Sequence, residues 1–112
     1  MAATRTATVT FAPTILDEGA TVWPGGGITI EVRTFGSRVA VHFREWINDI
    51  ALVEGESETL LQPGEGAAAL FDRELRYGYT ARYGRRDRAL RALRPLLRAA
   101  TDEAWMNGRS AA

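Results

Sequence analysis

His42 is the only histidine in the chain, and the chain has no cysteine. A histidine beside a carboxylate is the minimal general base, so its neighbours come first. Ile28, Ile30 and Val32 alternate with Thr29, Glu31 and Arg33. Val39, Val41 and Phe43 then alternate with Ala40, His42 and Arg44. Folding the chain back at Gly36-Ser37 sets Glu31 opposite His42, with Arg33 and Arg44 diagonal to them. No serine or threonine stands where it could serve that pair as a nucleophile, so the sequence predicts a cross-strand surface pair and no catalytic residue. One histidine without cysteine cannot build a transition-metal site unless several carboxylates join it. Glu54, Glu56, Glu58 and Glu65 lack the oxygen-ligand spacing of a calcium loop and read as a solvated acidic connection. Gly25-Gly26-Gly27 leads into a strand, whereas a phosphate loop leads into a helix N-terminus. Neither a metal nor a cofactor is expected.

The residue type with the strongest outward signal is arginine. All fourteen basic residues are arginine, and nine of them lie between Arg73 and Arg98. Residues 1–70 carry a net charge of −5 and residues 71–100 a net +6, so the zero total is a cancellation between two halves. On a helix, Arg88, Arg91, Arg94 and Arg98 share one side, apart from the leucines. Arg82, Arg85 and Arg86 add charge just before them. These seven form the expected partner-binding set. Arginine forks onto phosphates and tyrosine stacks on bases, so the mixture with Tyr77, Tyr79 and Tyr83 also suits nucleic acid. The overall pI of about 6.6 does not fit a dedicated DNA-coating protein. Arg33, His42, Arg44 and Trp46 are the expected contacts on the sheet face. Trp46 follows a charged pair and is the tryptophan expected at a partner surface. Trp23 and Trp105 read as core or edge aromatics.

The elements that must position these groups follow from the periods. A length of 112 residues gives a single domain, sheet-rich over 6–62 and helical over 66–107. Thr8 to Phe11 and Thr21 to Trp23 are short strands, the second ended by the turn Pro24-Gly25-Gly26-Gly27. The Gly36-Ser37 turn puts glycine first, as a type II′ hairpin requires. Pairing positions that sum to 73 then sets Val32 opposite Val41 and Ile30 opposite Phe43. Both apolar faces agree in that register. Ile50 to Val53 and Thr59 to Leu61 read as a second hairpin joined by the acidic segment 54–58. From Ala67 the period lengthens: Ala67, Phe71, Leu75, Tyr79 and Tyr83 form a helical stripe with a break allowed at Gly78. Gly84 suits the residue after a helix end. A second helix starts with Asp87 as its cap, kinks or restarts at Pro95, and closes at Asn107-Gly108. The fold class is therefore α+β: an antiparallel four- to five-stranded sheet from about Thr6 to Leu61, followed by two C-terminal helices.

The run ITIEVRTFGSRVAVHFREW, Ile28 to Trp46, resembles the first hairpin of the positive-cofactor-type transcriptional coactivators. The matching positions are Val32, Arg33, Phe35, Val41, Arg44, Glu45 and Trp46. The resemblance implies a curved antiparallel sheet followed by a helix, a dimer, and single-stranded DNA bound on the sheet with Arg33 and Arg44 at phosphates. The chain departs from that pattern at Pro63-Gly64-Glu65-Gly66, acidic where the family is basic, and in having two helices in place of one.

The N-terminus is polar, and no apolar run approaches the roughly 20 residues that span a bilayer. The expected setting is the cytoplasm or a viral assembly, with no membrane contact. The resulting expectation is a non-enzymatic interaction or assembly protein that forms a homo-oligomer through its acidic and basic halves. Its partner is a second copy or another protein, and a small accessory or structural component of a phage fits. The alternative is a nucleic-acid-binding module that uses the arginine-rich helices.

Overall fold

A computed structural model describes residues 3–15, 21–48 and 53–110. Four antiparallel strands form the main sheet in the order β1-β4-β5-β6. They are β1 (Ala3–Phe11), β4 (Gly26–Phe35), β5 (Arg38–Ile47) and β6 (Val53–Leu60). A separate two-stranded ribbon of β2 (Thr14–Ile15) and β3 (Thr21–Trp23) is inserted between β1 and β4. Three helical segments follow: α1 (Ala67–Leu75), α2 (Tyr79–Arg82) and α3 (Arg86–Ser110). The α+β class is as the sequence predicts, with four strands in the main sheet.

The central hairpin has the register that its apolar pattern requires. Val32 pairs with Val41, Ile30 with Phe43 and Glu31 with His42. Gly36 has φ +56° and no other residue type has a positive φ among those described, so the turn uses glycine first, as a type II′ turn does. Ile28, Ile30, Val32, Val41 and Phe43 are fully buried. Each such side chain contributes roughly 1.5–3 kcal/mol relative to exposure, and a one-residue slip would move all of them into water. That penalty fixes the register.

Helices cover this face alone. Leu90, Leu93, Leu97, Ala100 and Ala104 of α3 are buried and recur at the three- and four-residue intervals of one helix side. α3 lies mainly across β1 and β4, while α1 fills the space beside it. Phe71 of α1 meets Phe43 edge to face at 6.1 Å, a favourable aromatic geometry.

Five expectations need correction. Glu54 to Glu58 is not a hairpin connection: it lies inside β6, paired with β5 from Ile47↔Val53 to Ala40↔Leu60. Residues 50–52 of that expected hairpin lie outside the described residues. Gly26 and Gly27 are not a turn but the first residues of β4. A Cβ on Gly27 would collide with the Trp46 ring and with the Val9 carbonyl oxygen, so only glycine lets β4 pass between β1 and β5 there. β1 begins at Ala3, earlier than the expected Thr8, because Thr4, Thr6, Thr8 and Thr10 continue the period-two pattern. The helical half has three segments, since the chain breaks between Leu75 and Tyr79. α3 starts at Arg86, runs through Pro95 without interruption and continues past Asn107-Gly108 to Ser110.

Candidate interaction surface

Packing α3 on one side of the sheet divides the molecule into two outer faces. The first is the side of α3 opposite its buried leucines, where Arg91, Arg94 and Arg98 are exposed. A rise of about 1.5 Å per residue places the three guanidinium-bearing positions along roughly 10 Å of helix. None of them forms an ion pair or hydrogen bond with any described residue. Asp102 follows on the same side one turn later and bounds the ridge.

The other four residues of the expected arginine set are not equivalent to these. Arg86 is bidentate to Asp72, Nε to Oδ1 at 2.8 Å and NH2 to Oδ2 at 2.9 Å, and so ties α3 to α1. That hydrogen bond holds the Asp72 carboxyl below its ordinary range and raises the Arg86 guanidinium. Arg88 donates to the Thr10 carbonyl at 3.3 Å and lies 5.0 Å above the Phe11 ring. Arg85 donates to Thr14 Oγ1 at 3.1 Å, while its Nε is buried without a partner. Arg82, at the end of α2, is exposed and apart from the α3 ridge. Three of the seven are therefore internal fasteners that connect α3, or the turn before it, to α1, β1 and β2.

A further clamp escaped the sequence reading altogether. Arg73 donates to both Glu65 oxygens, at 2.9 and 2.7 Å, and also to Thr59 Oγ1 and the Leu60 carbonyl. Its hydrogen bonds lower the Glu65 carboxyl from its ordinary value. The β6–α1 connection is pinned by this one side chain. On the buried side of β1, Arg5 meets Glu103 of α3 at 2.6 Å. Arg5 and Glu103 stand 98 positions apart, and no local spacing signals such a pair.

The second outer face is the uncovered side of the sheet. It carries Thr4, Thr6, Thr8 and Thr10 along β1 and Glu54, Glu56 and Glu58 along β6. Arg33 pairs with Glu31 at 2.6 Å and Arg44 with Glu54 at 2.9 Å. His42 Nε2 stands 3.4 Å from Glu56, and its register partner on β4 is Glu31, as the hairpin pairing predicts. Glu31 faces His42 across the ladder, but its carboxylate is taken by Arg33. Trp46 is half-buried, with its ring against Gly27. Its ring packs over the Gly27 backbone. The described backbone includes Trp23 in β3.

This face carries Glu31, Glu54, Glu56 and Glu58 against Arg33, Arg44 and, at its turn end, Arg38, an excess of one carboxylate, and Glu58 has no partner among the described residues. A phosphate approaching Arg33 or Arg44 meets those carboxylates, since each arginine already pairs with one glutamate. No group of three His, Asp or Glu side chains converges on a common point among the described residues, and no described helix is long and apolar enough to cross a membrane. The surface thus offers an unpaired cationic ridge on one side and an anionic sheet face on the other. No protein family, curated protein or solved structure matches the chain.

Proposed function

We propose that this chain is an assembly module that associates with further copies of itself, the α3 ridge of one copy meeting the open sheet face of the next. The observation that carries this reading is the contrast in pairing. Arg91, Arg94 and Arg98 are exposed and have no partner among the described residues, whereas Arg73, Arg86 and Arg88 are all engaged within the fold. A solvated arginine stripe opposite an acidic face has a complement available on every other copy of the chain. Because the two faces point in opposite directions, the contact joins unlike patches. Such heterologous contacts build rings or open-ended stacks and not a closed two-fold dimer. Complementary potentials of this kind also speed encounter and select partners.

Light scattering across a salt series tests the reading. At low ionic strength the chain is expected to be larger than a monomer. It should dissociate as salt shortens the Debye length from about 30 Å at 0.01 M to about 10 Å at 0.1 M. The triple variant R91E/R94E/R98E should be monomeric throughout. A wild-type monomer at every salt concentration overturns the proposal.

The three unpaired guanidinium groups also favour a second reading, in which the ridge tracks a nucleic-acid backbone. Three phosphate contacts would give a log–log salt slope of about −2 to −3. A mobility shift with a single-stranded and a duplex oligonucleotide measures that slope directly. Oligonucleotide binding lost in the triple variant, together with a wild-type monomer at all salts, would transfer the ridge to nucleic acid.

A further inference from the structure

At the end of the sheet that carries the Gly36-Ser37 turn, an open groove of about 990 Å³ runs between the β6–α1 connection and the last turns of α3. Its lining is mainly apolar and includes Val39, Leu60, Leu61, Pro63, Ala104 and Trp105. Leu60 is 44% exposed and Trp105 61% exposed, so two large apolar side chains stand in water along one cavity. The volume lies at the upper end of the roughly 300–1,000 Å³ typical of small-molecule pockets.

The polar groups of the groove have a definite sign. The one carboxylate in its wall, Glu65, is already engaged at both oxygens by Nε and NH2 of Arg73. Arg38 and Arg109 also line the groove, and neither has a carboxylate partner among the described residues. They belong to the same mouth because the last turn of α3 abuts the β4–β5 turn. Asn107 Nδ2 donates to the Gly36 carbonyl at 3.0 Å, and a Cβ on Gly108 would lie 3.3 Å from the Ser37 Cβ. The Arg109 guanidinium lies 5.2 Å over the Trp105 ring, which holds a cation against an apolar wall.

We propose that this groove binds an amphiphile with an anionic carboxylate head and a single apolar chain. The head meets Arg38 and Arg109, which present forks matched to a carboxylate. The chain lies against Trp105, Leu60 and Leu61 and removes their apolar surface from water. Charge complementarity selects the sign of the head, and the length of apolar wall selects a chain over a compact ion. The site shares no residue with the α3 ridge or with the Glu54, Glu56 and Glu58 row, and Arg38 and Leu60 stand at the turn end of the open face, so ligand titration and not oligomer size tests it.

The test is titration of the intact protein with decanoate, below its micelle concentration, followed by calorimetry and by tryptophan emission. Decanol and decyltrimethylammonium serve as neutral and cationic controls. Decanoate is expected to saturate a single site and to shift the emission, and the W105F variant should lose that shift while retaining calorimetric binding. The R38Q/R109Q variant should bind decanoate at least about tenfold more weakly, the loss expected of a charge-assisted hydrogen bond, with decanol affinity unchanged. L60E, a change at an exposed position, should abolish decanoate binding without altering the circular dichroism spectrum. Absence of saturable decanoate binding overturns the proposal. So does equal affinity for decyltrimethylammonium, or an R38Q/R109Q affinity equal to wild type. A change in oligomer size in L60E without any decanoate binding in the wild type would assign the groove to a second copy of the chain.

Discussion

The buried carboxylate of Glu45 accepts the backbone N–H of Thr80 at 2.7 Å, joining the C-terminal end of β5 to the start of α2. Glu45 is 3% exposed and sits on the helix-covered face, in line with Ile28 and Gly55. A carboxylate there needs a donor, and the first turn of α2 supplies one from its own unsatisfied N–H groups. Gly78 makes the approach possible, because a Cβ at that position would collide with the Glu45 carboxylate.

Glu45→Ala is therefore expected to destabilise the fold by about 2–3 kcal/mol, since it leaves the Thr80 N–H buried and unpaired. Glu45→Gln keeps an acceptor and should cost less. Gly78→Ala should be destabilising as well. Urea unfolding of the three variants checks the order, and an Ala variant as stable as wild type would remove Glu45 from its structural role.

The Asp72–Arg86 and Glu65–Arg73 pairs make stability depend on acid. Both carboxyls are held below their ordinary values, chiefly by hydrogen bonds from the paired arginine. A carboxyl with a depressed folded pKa contributes stability above its unfolded value, and that contribution disappears as pH falls through the folded value. The loss is thus expected to begin near the ordinary carboxylate range, at about pH 4, and to finish below it. Both pairs are solvent-accessible, so the effect is screened and modest. Melting temperature measured from pH 6 down to pH 2 should fall less steeply in a D72N/E65Q variant than in wild type. Parallel curves would contradict the assignment.

Pro95 lies inside α3 with helix on both sides. It has no N–H to give to the carbonyl four residues back, and its ring crowds that carbonyl. Alanine at an exposed helix position is about 3 kcal/mol more favourable than proline, offset by roughly 1 kcal/mol from the stiffer unfolded chain. Pro95→Ala is expected to stabilise by about 2 kcal/mol in thermal or urea unfolding. A destabilised variant would mean that Pro95 itself is needed for packing.

The β4–β5 hairpin was legible in the sequence because one face is uniformly apolar and the turn glycine stands in the right place. β6 was obscured by its charge. Glu54, Glu56 and Glu58 look like a loop until their alternation with Gly55, Ser57 and Thr59 is read as period two. Small residues occupy the covered face there because helical side chains press on it, the Tyr79 ring lying 3.8 Å from where a Gly55 Cβ would be. The arginine concentration was visible, but the division of labour within it was not. Arg86 finds Asp72 only through the packing of α3 on α1, and Arg88 finds Thr10 across 78 positions. Arg91, Arg94 and Arg98 differ from them solely in facing away from the sheet. Helical periodicity separates these three from the leucines, whereas the partners of Arg86 and Arg88 depend on tertiary docking.

The most direct test of the self-association account mixes two chains, each disabled on one face. One carries R91E/R94E/R98E on the α3 ridge, and the other carries E54R/E56R/E58R on the open sheet face. Sedimentation velocity at low salt reads the result. Each variant alone is expected to be monomeric, because both of its faces then carry one sign, and an equimolar mixture should assemble again, because the native ridge of one meets the native face of the other and the two reversed faces are likewise complementary. A mixture that stays monomeric while wild type assembles would contradict the proposed pairing of the ridge with the sheet face.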